Sequence, residues 1–421
     1  MLTTHTHCRL CSSASLVPVL DLGEHALHGT FAPPGEPLPT LRVPLRVLRC
    51  PHCGLVQQAV SVDPKLLYGR YSYRSSVNEQ VRQHLAALSA EATAMLGHPP
   101  TTVLDIGGND GLFLNHFPYS DRTCIDPSDV AERNPNRHRT IRGTFPDAMM
   151  FTHRYELITS IACFYDVDDP VRFASAVARI LEPGGLWCLE VAYLLDVLRN
   201  NDVGFFCQEH CALWSLTTLC RCLEMAGLKA VRFYLNPFNG GSMRVYVAHA
   251  SERRYDTIDD CDFMEWVLSA EARFTASSHF ADFADHVHRN IAAIRAAILA
   301  YREQGKTVHL LGASTKANVL LQAAGLGPDL ILYASDRDPH KHGWRTSGGI
   351  PIISEEQSRA MRPDVYLVGL SWFRDQLLER ERAALEAGTE FLFPLPAVEI
   401  CKVPAQITER KRANEPCGKV S

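Results

Sequence analysis

Four of the fourteen cysteines fall into two close pairs, Cys8/Cys11 and Cys50/Cys53. Two CxxC pairs supply four thiolates, and a tetrahedral cage of four sulfurs is what zinc prefers in a closed site. Gly54, directly after the second pair, permits the tight turn that aims backbone amides at the sulfurs. Four sulfurs leave no open position, so a metal at Cys8, Cys11, Cys50 and Cys53 is expected to hold structure and not to catalyse. Neither pair has a thioredoxin-like setting. The other ten cysteines are scattered, and most are expected to be small buried hydrophobes.

A second segment able to do chemistry is Val103-Leu-Asp-Ile-Gly-Gly-Asn-Asp-Gly111, which reads as a strand, a small-residue turn and then a helix (LFLNHF). Gly107, Gly108 and Gly111 allow close approach of a ligand at the carboxyl edge of the strand, and Asn109 tolerates a left-handed backbone. The GxGxxG pattern that sets a dinucleotide pyrophosphate on a helix N-terminus is absent. Asp105 at the strand end would repel a pyrophosphate but suits the cationic amino-acid end of S-adenosylmethionine (SAM). Asp126 ends the next strand, 21 residues on, where an acid can take both ribose hydroxyls. Near the other end of the chain Ser314, Thr315 and Lys316 follow a buried strand (VHLLGA) and open a helix, an arrangement that attracts anions such as a pyrophosphate. Asp336 ends the following strand, and Arg337 can add charge.

The elements that must position these groups read as α/β. A helical pattern runs from Asn78 to Leu96 with Val81, Leu85, Leu88 and Met95 on one face. TTVLDIGG, RTCIDPS, YELITSIACF and GGLWCLEVAYL then alternate with helical stretches, which implies a parallel sheet covered on both faces. Polarity rises near 250–262, a long helical stretch follows from Phe263 to Gln304, and VHLLGAS, DLILYASD, DVYLVGL and EFLFPLP begin a second alternation. The expected organisation is a zinc-binding module at 1–75, a Rossmann-like domain at 76–255, a second Rossmann-like α/β domain at 256–405 and a flexible tail at 406–421.

The 421 residues carry 42 Lys+Arg against 47 Asp+Glu, a net charge of −5, which argues against a nucleic-acid scaffold. No apolar run approaches a membrane span, and the first residues lack the layout of a signal peptide, so a cytoplasmic location is expected.

The chain resembles the SAM-dependent C-methyltransferases that act on nucleotide (TDP)-linked keto-deoxysugars. The segments that carry the resemblance are the four-cysteine module, YSYRSS (71–76), LDIGGNDG (104–111), SIACFYDVDDP (160–170), CQEH (207–210), NGGSMRVY (239–246), GASTKAN (312–318) and DRDPHKHG (336–343). The resemblance implies that the central domain binds SAM, with Phe164 beside the cofactor, and that the third domain helps to hold the nucleotide sugar. It implies that His210 removes the proton from the carbon to be methylated, with Glu209 beside it and Tyr73 near the sugar. Asn239 and Arg244 become candidates for the sugar or its phosphates; the plain alternative for Arg244 is a strand residue facing water. The family's usual HEH is here Gln208-Glu209-His210, and Cys207 stands where many members carry Tyr. Trp372 and Phe373 can stack on a base or simply pack.

Methylating carbon needs a carbon nucleophile, which a base makes from a C–H beside a ketone while the enolate oxygen is stabilised. A small-molecule nucleotide sugar is therefore the expected partner, with no nucleic acid and no membrane, in a monomer or homodimer. The alternatives are a methyltransferase for a ketone without a nucleotide, a zinc-ribbon RNA-binding protein and an NAD-linked oxidoreductase.

Overall fold

The computed structural model describes residues 1–131, 138–274, 277–369 and 374–402. Trp372, Phe373 and the tail from 406 lie outside them. Contacts gather the chain into two compact units, Met1–Phe31 with Pro39–Val287, and Ala32–Leu38 with His288–Ser421.

The first unit opens with β1 (Leu2–Thr4), β2 (Val17–Ala26), β3 (Arg42–Arg49), β4 (Val56–Gln58), β5 (Val60–Val62) and the short helix α1 (Pro64–Tyr68). Helix α2 (Glu79–Leu96) follows, its first turn capped by the Asn78 side chain, which accepts from the Gln80 N–H. Its chain reverses at Gly97, whose φ of 83° only glycine adopts cheaply. The buried face of α2, Val81, Leu85, Leu88 and Ala92, packs with Val103 and Leu157 of the sheet beneath. Each fully buried leucine there contributes about 1.5–3 kcal/mol.

That sheet begins with β6 (Thr102–Ile106), β7 (Asp121–Asp126), β8 (Arg139–Arg142) and β9 (Tyr155–Ile161), followed by α3 (Pro170–Ile180) and β10 (Leu181–Ala192). The chain then forms α4 (Leu194–Arg199), β11 (Ala212–Leu213), α5 (Leu216–Met225), β12 (Leu228–Asn236) and β13 (Ser242–His249). The strand order is β12-β13-β10-β9-β6-β7-β8. Strands β6 to β10 pair in parallel, whereas β13 runs antiparallel to both β10 and β12. The sheet is thus mixed where the sequence pattern implied a parallel one. The reason is the turn at 237–241, where Asn239, Gly240 and Gly241 all take positive φ and return the chain as a hairpin. Order reverses between β6 and β9, so the ligand crevice of such a sheet falls at their carboxyl ends.

Strand β11 leaves this sheet to pair with β4, completing a second sheet in the order β11-β4-β3-β2. The segment before β11, residues 207–211, is thereby tied to the N-terminal strands.

After α6 (Ile258–Phe274) and α7 (Ser277–Glu303), the second unit builds β14 (Val308–Leu311), α8 (Thr315–Ala323), β15 (Tyr333–Asp336), β16 (Ile352–Ser354), α9 (Glu355–Met361), β17 (Val365–Val368), β18 (Glu390–Phe393) and β19 (Glu399–Cys401). The order is β16-β15-β14-β17-β18-β19, parallel except for β19. Among the described residues no helix is long and apolar enough to cross a membrane.

Candidate active site

The four cysteine sulfurs lie within 4.8 Å of one another. Cys8 and Cys53 approach to 3.4 Å and Cys11 and Cys50 to 3.6 Å. Sulfurs at about 2.3 Å from a tetrahedral zinc stand roughly 3.8 Å apart, so the donor set fits zinc. Each CxxC is a tight turn: the Ser12 N–H donates to the Cys8 carbonyl and the Gly54 N–H to the Cys50 carbonyl, with Gly54 at φ 88°.

This module reaches the segment before β11 through Arg9, which sits between two of the cysteines. The Arg9 N–H donates to Gln57 Oε1 (2.9 Å), and its guanidinium donates to the Gln58 carbonyl (2.6 Å) and to Asp168 (3.1 Å). Gln58 Nε2 in turn donates to the carbonyls of Phe206 and Cys207 at 3.0 and 3.3 Å. The metal turn therefore fixes the backbone two residues before Glu209.

At the switch point, Asp105 is buried and accepts from Thr159 Oγ1 at 2.7 Å. Burial, opposed by Thr159 and reinforced by Asp126 and Asp110, pushes its carboxyl up to about 7. A cationic amino group delivered to it would favour the ionised form. Gly107 and Gly108 have no room for a side chain: a Cβ at Gly107 would lie 2.8 Å from Cys163 Sγ, and one at Gly108 would lie 2.8 Å from Asp105 Oδ2. Asp126 accepts from the Asn109 N–H (2.8 Å), the Ser128 N–H (2.7 Å) and Ser128 Oγ (2.5 Å). Three donors leave about one of a carboxylate's four acceptor positions for a ribose hydroxyl. Asn109 takes φ 52°, and its side chain joins Ser75 N–H (3.0 Å) to the Tyr73 carbonyl (3.1 Å). Gly111 closes the turn, donating to the Gly108 carbonyl at 2.8 Å. The helix expected after this turn is only a 3-10 turn, Phe113–His116.

Phe164 lies in the core. It is fully buried among Phe173, Trp187 and Trp214, with ring centroids 5.0–5.5 Å away.

In the segment before β11, the His210 ring lies 4.2 Å from that of Tyr165, and its Nδ1 stands 2.6 Å from the Phe205 carbonyl. A carbonyl only accepts, so neutral His210 carries its proton on Nδ1 and its lone pair on Nε2. Glu209 is buried, and burial, opposed by the Cys207 thiol, pushes its carboxyl up to about 7. Glu209 Oε1 lies against the backbone of Gly29, where a Cβ would overlap it. Gln208 holds the chain: its Oε1 accepts from the His28 N–H (3.0 Å) and its Nε2 donates to the Ala26 carbonyl (3.2 Å).

Tyr73 gives its carbonyl to Asn109, and the residue is 46% exposed. The phenols that share the electrostatic surroundings of Glu209 are Tyr68 and Tyr71, whose rings meet edge to face at 5.4 Å. Both lie within or just before segments that the sequence singled out, but nothing in their spacing separates them from Tyr73.

A crevice at the carboxyl ends of β9 and β10 is lined by Ala162, Tyr165, Glu190, Ala192, Phe205 and Asn239. Asn239 thus lines this crevice. Arg244 is a buried ion-pair residue and not a strand residue facing water. Its guanidinium meets Glu190 at 2.8 Å and Glu91 at 2.6 Å, and Glu190 also meets His84 at 2.5 Å. Burial pushes Glu190 up, but His84 and Arg244 outweigh it and hold the carboxyl below its usual range.

In the second unit, Ser314 caps α8, its Oγ accepting from the Ala317 N–H at 3.1 Å, with Thr315 and Lys316 in the first turn. Lys341 Nζ donates to the Ala313 carbonyl (2.9 Å) and pairs with Asp336 (3.2 Å). Arg337 is 66% exposed and stands 3.6 Å from Glu355.

A largely parallel sheet with an acid-ended, glycine-rich turn at its switch point suits a methyltransferase. Family models match in turn a zinc-binding domain (residues 8–68), a methyltransferase domain (73–232) and the C-terminal domain of C-methyltransferases (237–396). The C-methyltransferase NovU of Streptomyces niveus is 30% identical over 411 residues, covering 92% of this chain and 95% of that protein. The chain belongs to the C-methyltransferase family and takes SAM as methyl donor and zinc as metal. Among solved structures, the plantazolicin methyltransferase BpumL in complex with SAH matches 39% of this chain and 82% of that one (12% identity, TM-score 0.34). A SAM-dependent methyltransferase from Clostridium acetobutylicum matches 40% and 92% (14% identity, TM-score 0.34).

Proposed function

We propose that this enzyme methylates the carbon next to a ketone in a TDP-linked deoxysugar, giving a branched sugar of the kind attached to natural products. The observation that carries this reading is the fixed tautomer of His210, whose Nδ1–H is held by the Phe205 carbonyl so that Nε2 acts as the base. A neutral imidazole has a basicity matched to working pH, and its pinned ring keeps Nε2 at one position during proton removal. Bound SAM supplies an electrophilic sulfonium methyl group. Asp105 attracts its cationic end, Asp126 accepts a ribose hydroxyl, and Gly107 and Gly108 let the backbone approach. Tyr165 and Phe205 keep water from the imidazole. In the second unit, Ser314, Thr315 and Lys316 at the start of α8 offer amides, hydroxyls and a charge to a diphosphate, with Arg337 adding to the field.

Calorimetric titration with S-adenosylhomocysteine, and then with thymidine diphosphate on top of it, tests the two-ligand arrangement. Binding of both is expected. Binding of the first alone would favour a ketone without a nucleotide as acceptor.

A further inference from the structure

Strand β4 carries two neighbouring buried glutamines, and the alternation of a strand sends their side chains to opposite faces. Gln57 serves the first cysteine turn: its Oε1 accepts from the Arg9 N–H (2.9 Å) and its Nε2 donates to the His7 carbonyl (3.2 Å). Gln58 serves the segment before β11 and holds it at three points. Its main-chain N–H donates to the Cys211 carbonyl (2.9 Å), and its Nε2 donates to the carbonyls of Phe206 (3.0 Å) and Cys207 (3.3 Å). These points enclose His210, whose own N–H donates to the Cys207 carbonyl at 3.1 Å. Phe206 adjoins Phe205, whose carbonyl stands 2.6 Å from Nδ1 of the ring.

Resting on the reading of His210 as the base, we infer that Gln58 is a positioning residue: by gripping the chain on both sides of His210 it keeps the Phe205 carbonyl on Nδ1 and so keeps the lone pair on Nε2. The tautomer of an imidazole is set by the hydrogen bond that its other nitrogen makes, and that bond is lost once the acceptor drifts much beyond 3.5 Å or so. Residues 207–211 belong to no helix or strand, so no ladder of their own fixes them. Gln208 ties the middle of this segment to Ala26 and His28, whereas Gln58 bonds the carbonyls next to Phe205 and the one after His210.

Arg9 extends the grip to the other side of the ring. Its side chain is 1% exposed and donates to the Gln58 carbonyl (2.6 Å) and to Asp168 (3.1 Å). Ser61 Oγ donates to the same Asp168 oxygen at 2.7 Å. Asp168 follows three residues after Tyr165, whose ring lies 4.2 Å from the imidazole. One guanidinium thus joins the two chain segments that flank His210, with Gln58 as the link that touches its backbone.

The test is the tautomer of His210, read from ring ¹⁵N shifts in full-length protein labelled at histidine, with the signal assigned by its loss in His210→Gln. Gln58→Met, which fills a similar volume without an amide, and Gln58→Glu, whose carboxylate has no donor for the two carbonyls, are compared with wild type. Zinc content, S-adenosylhomocysteine affinity, and deuterium exchange and methyl transfer at the carbon beside the ketone of TDP-4-keto-6-deoxyglucose are measured alongside. Wild type is expected to hold the single Nδ1–H form and Gln58→Met a mixture of both tautomers. Exchange and kcat in Gln58→Met should fall together by about 10-fold or more, with KM for the sugar and cofactor affinity within about 2-fold and zinc retained; Gln58→Glu should fall at least as far. A single Nδ1–H form in Gln58→Met, with exchange within about 2-fold of wild type where misplacement costs 10-fold or more, would overturn the role of Gln58. Loss of zinc and cofactor affinity in step with exchange in both variants would overturn it too, in favour of a scaffold role. An Nε2–H form in wild type would overturn the reading of His210 as the base, and the inference with it. A tautomer that shifts in Gln58→Met while wild type neither exchanges nor methylates this sugar would support the role of Gln58 and overturn the ketosugar reading alone.

Discussion

Replacing Glu209 by Gln removes a buried charge while keeping the shape that fits against Gly29. In the native protein burial holds the carboxyl proton up to about pH 7, whereas an unfolded chain releases it near 4.5. Between those values the native state binds more protons than the unfolded state, so this group makes stability fall as pH rises. The loss approaches about 1.4 kcal/mol per pH unit and sums to about 2.5 kcal/mol between pH 5 and pH 8. Glu209→Gln lacks this loss, so its advantage over wild type should grow by that amount across the range. At about 2.1 cal/mol/K of unfolding entropy per residue, the 421 residues give roughly 0.9 kcal/mol/K, so the gap in Tm should widen by about 3 °C between pH 5 and pH 8 in scanning calorimetry. Parallel Tm curves for the two proteins would refute the argument, because they would mean that the Glu209 carboxyl is ionised at its ordinary pH in the folded state.

Gly29→Ala places a methyl group onto Glu209 Oε1 and should lower kcat at least 10-fold, the scale on which misplaced groups act, with S-adenosylhomocysteine affinity retained in calorimetry. Gly107→Ala adds a Cβ 2.8 Å from Cys163 Sγ at φ 72°, so S-adenosylhomocysteine affinity itself should fall, by about 10-fold or more. Removing zinc with a chelator, or Cys50→Ser, should lower Tm and, through Arg9 and Gln58, reduce turnover together with the zinc content measured by metal analysis.

The strands and the metal module were legible in the sequence because their signals are local. Val103–Ile106 is a short apolar run ending at glycines, and the CxxC pairs announce themselves by spacing. Contacts between distant residues were not legible. Gln208 reads as a departure from a motif, yet it bonds the backbone at Ala26 and His28, some 180 residues away. Arg244 reads as a phosphate candidate because its partner Glu190 lies 54 residues earlier and meets it only through antiparallel pairing of β10 with β13. Phe164 sits inside a recognised segment, but only the three aromatic rings around it show that it packs.

The most direct test of the central claim is the product formed from SAM carrying a ¹³C methyl group and TDP-4-keto-6-deoxyglucose, compared for wild type and His210→Ala. The account predicts a ¹³C methyl bonded to a sugar carbon next to the ketone, formed by wild type and lost in His210→Ala while S-adenosylhomocysteine still binds. Label on oxygen, or full activity in His210→Ala, would contradict it.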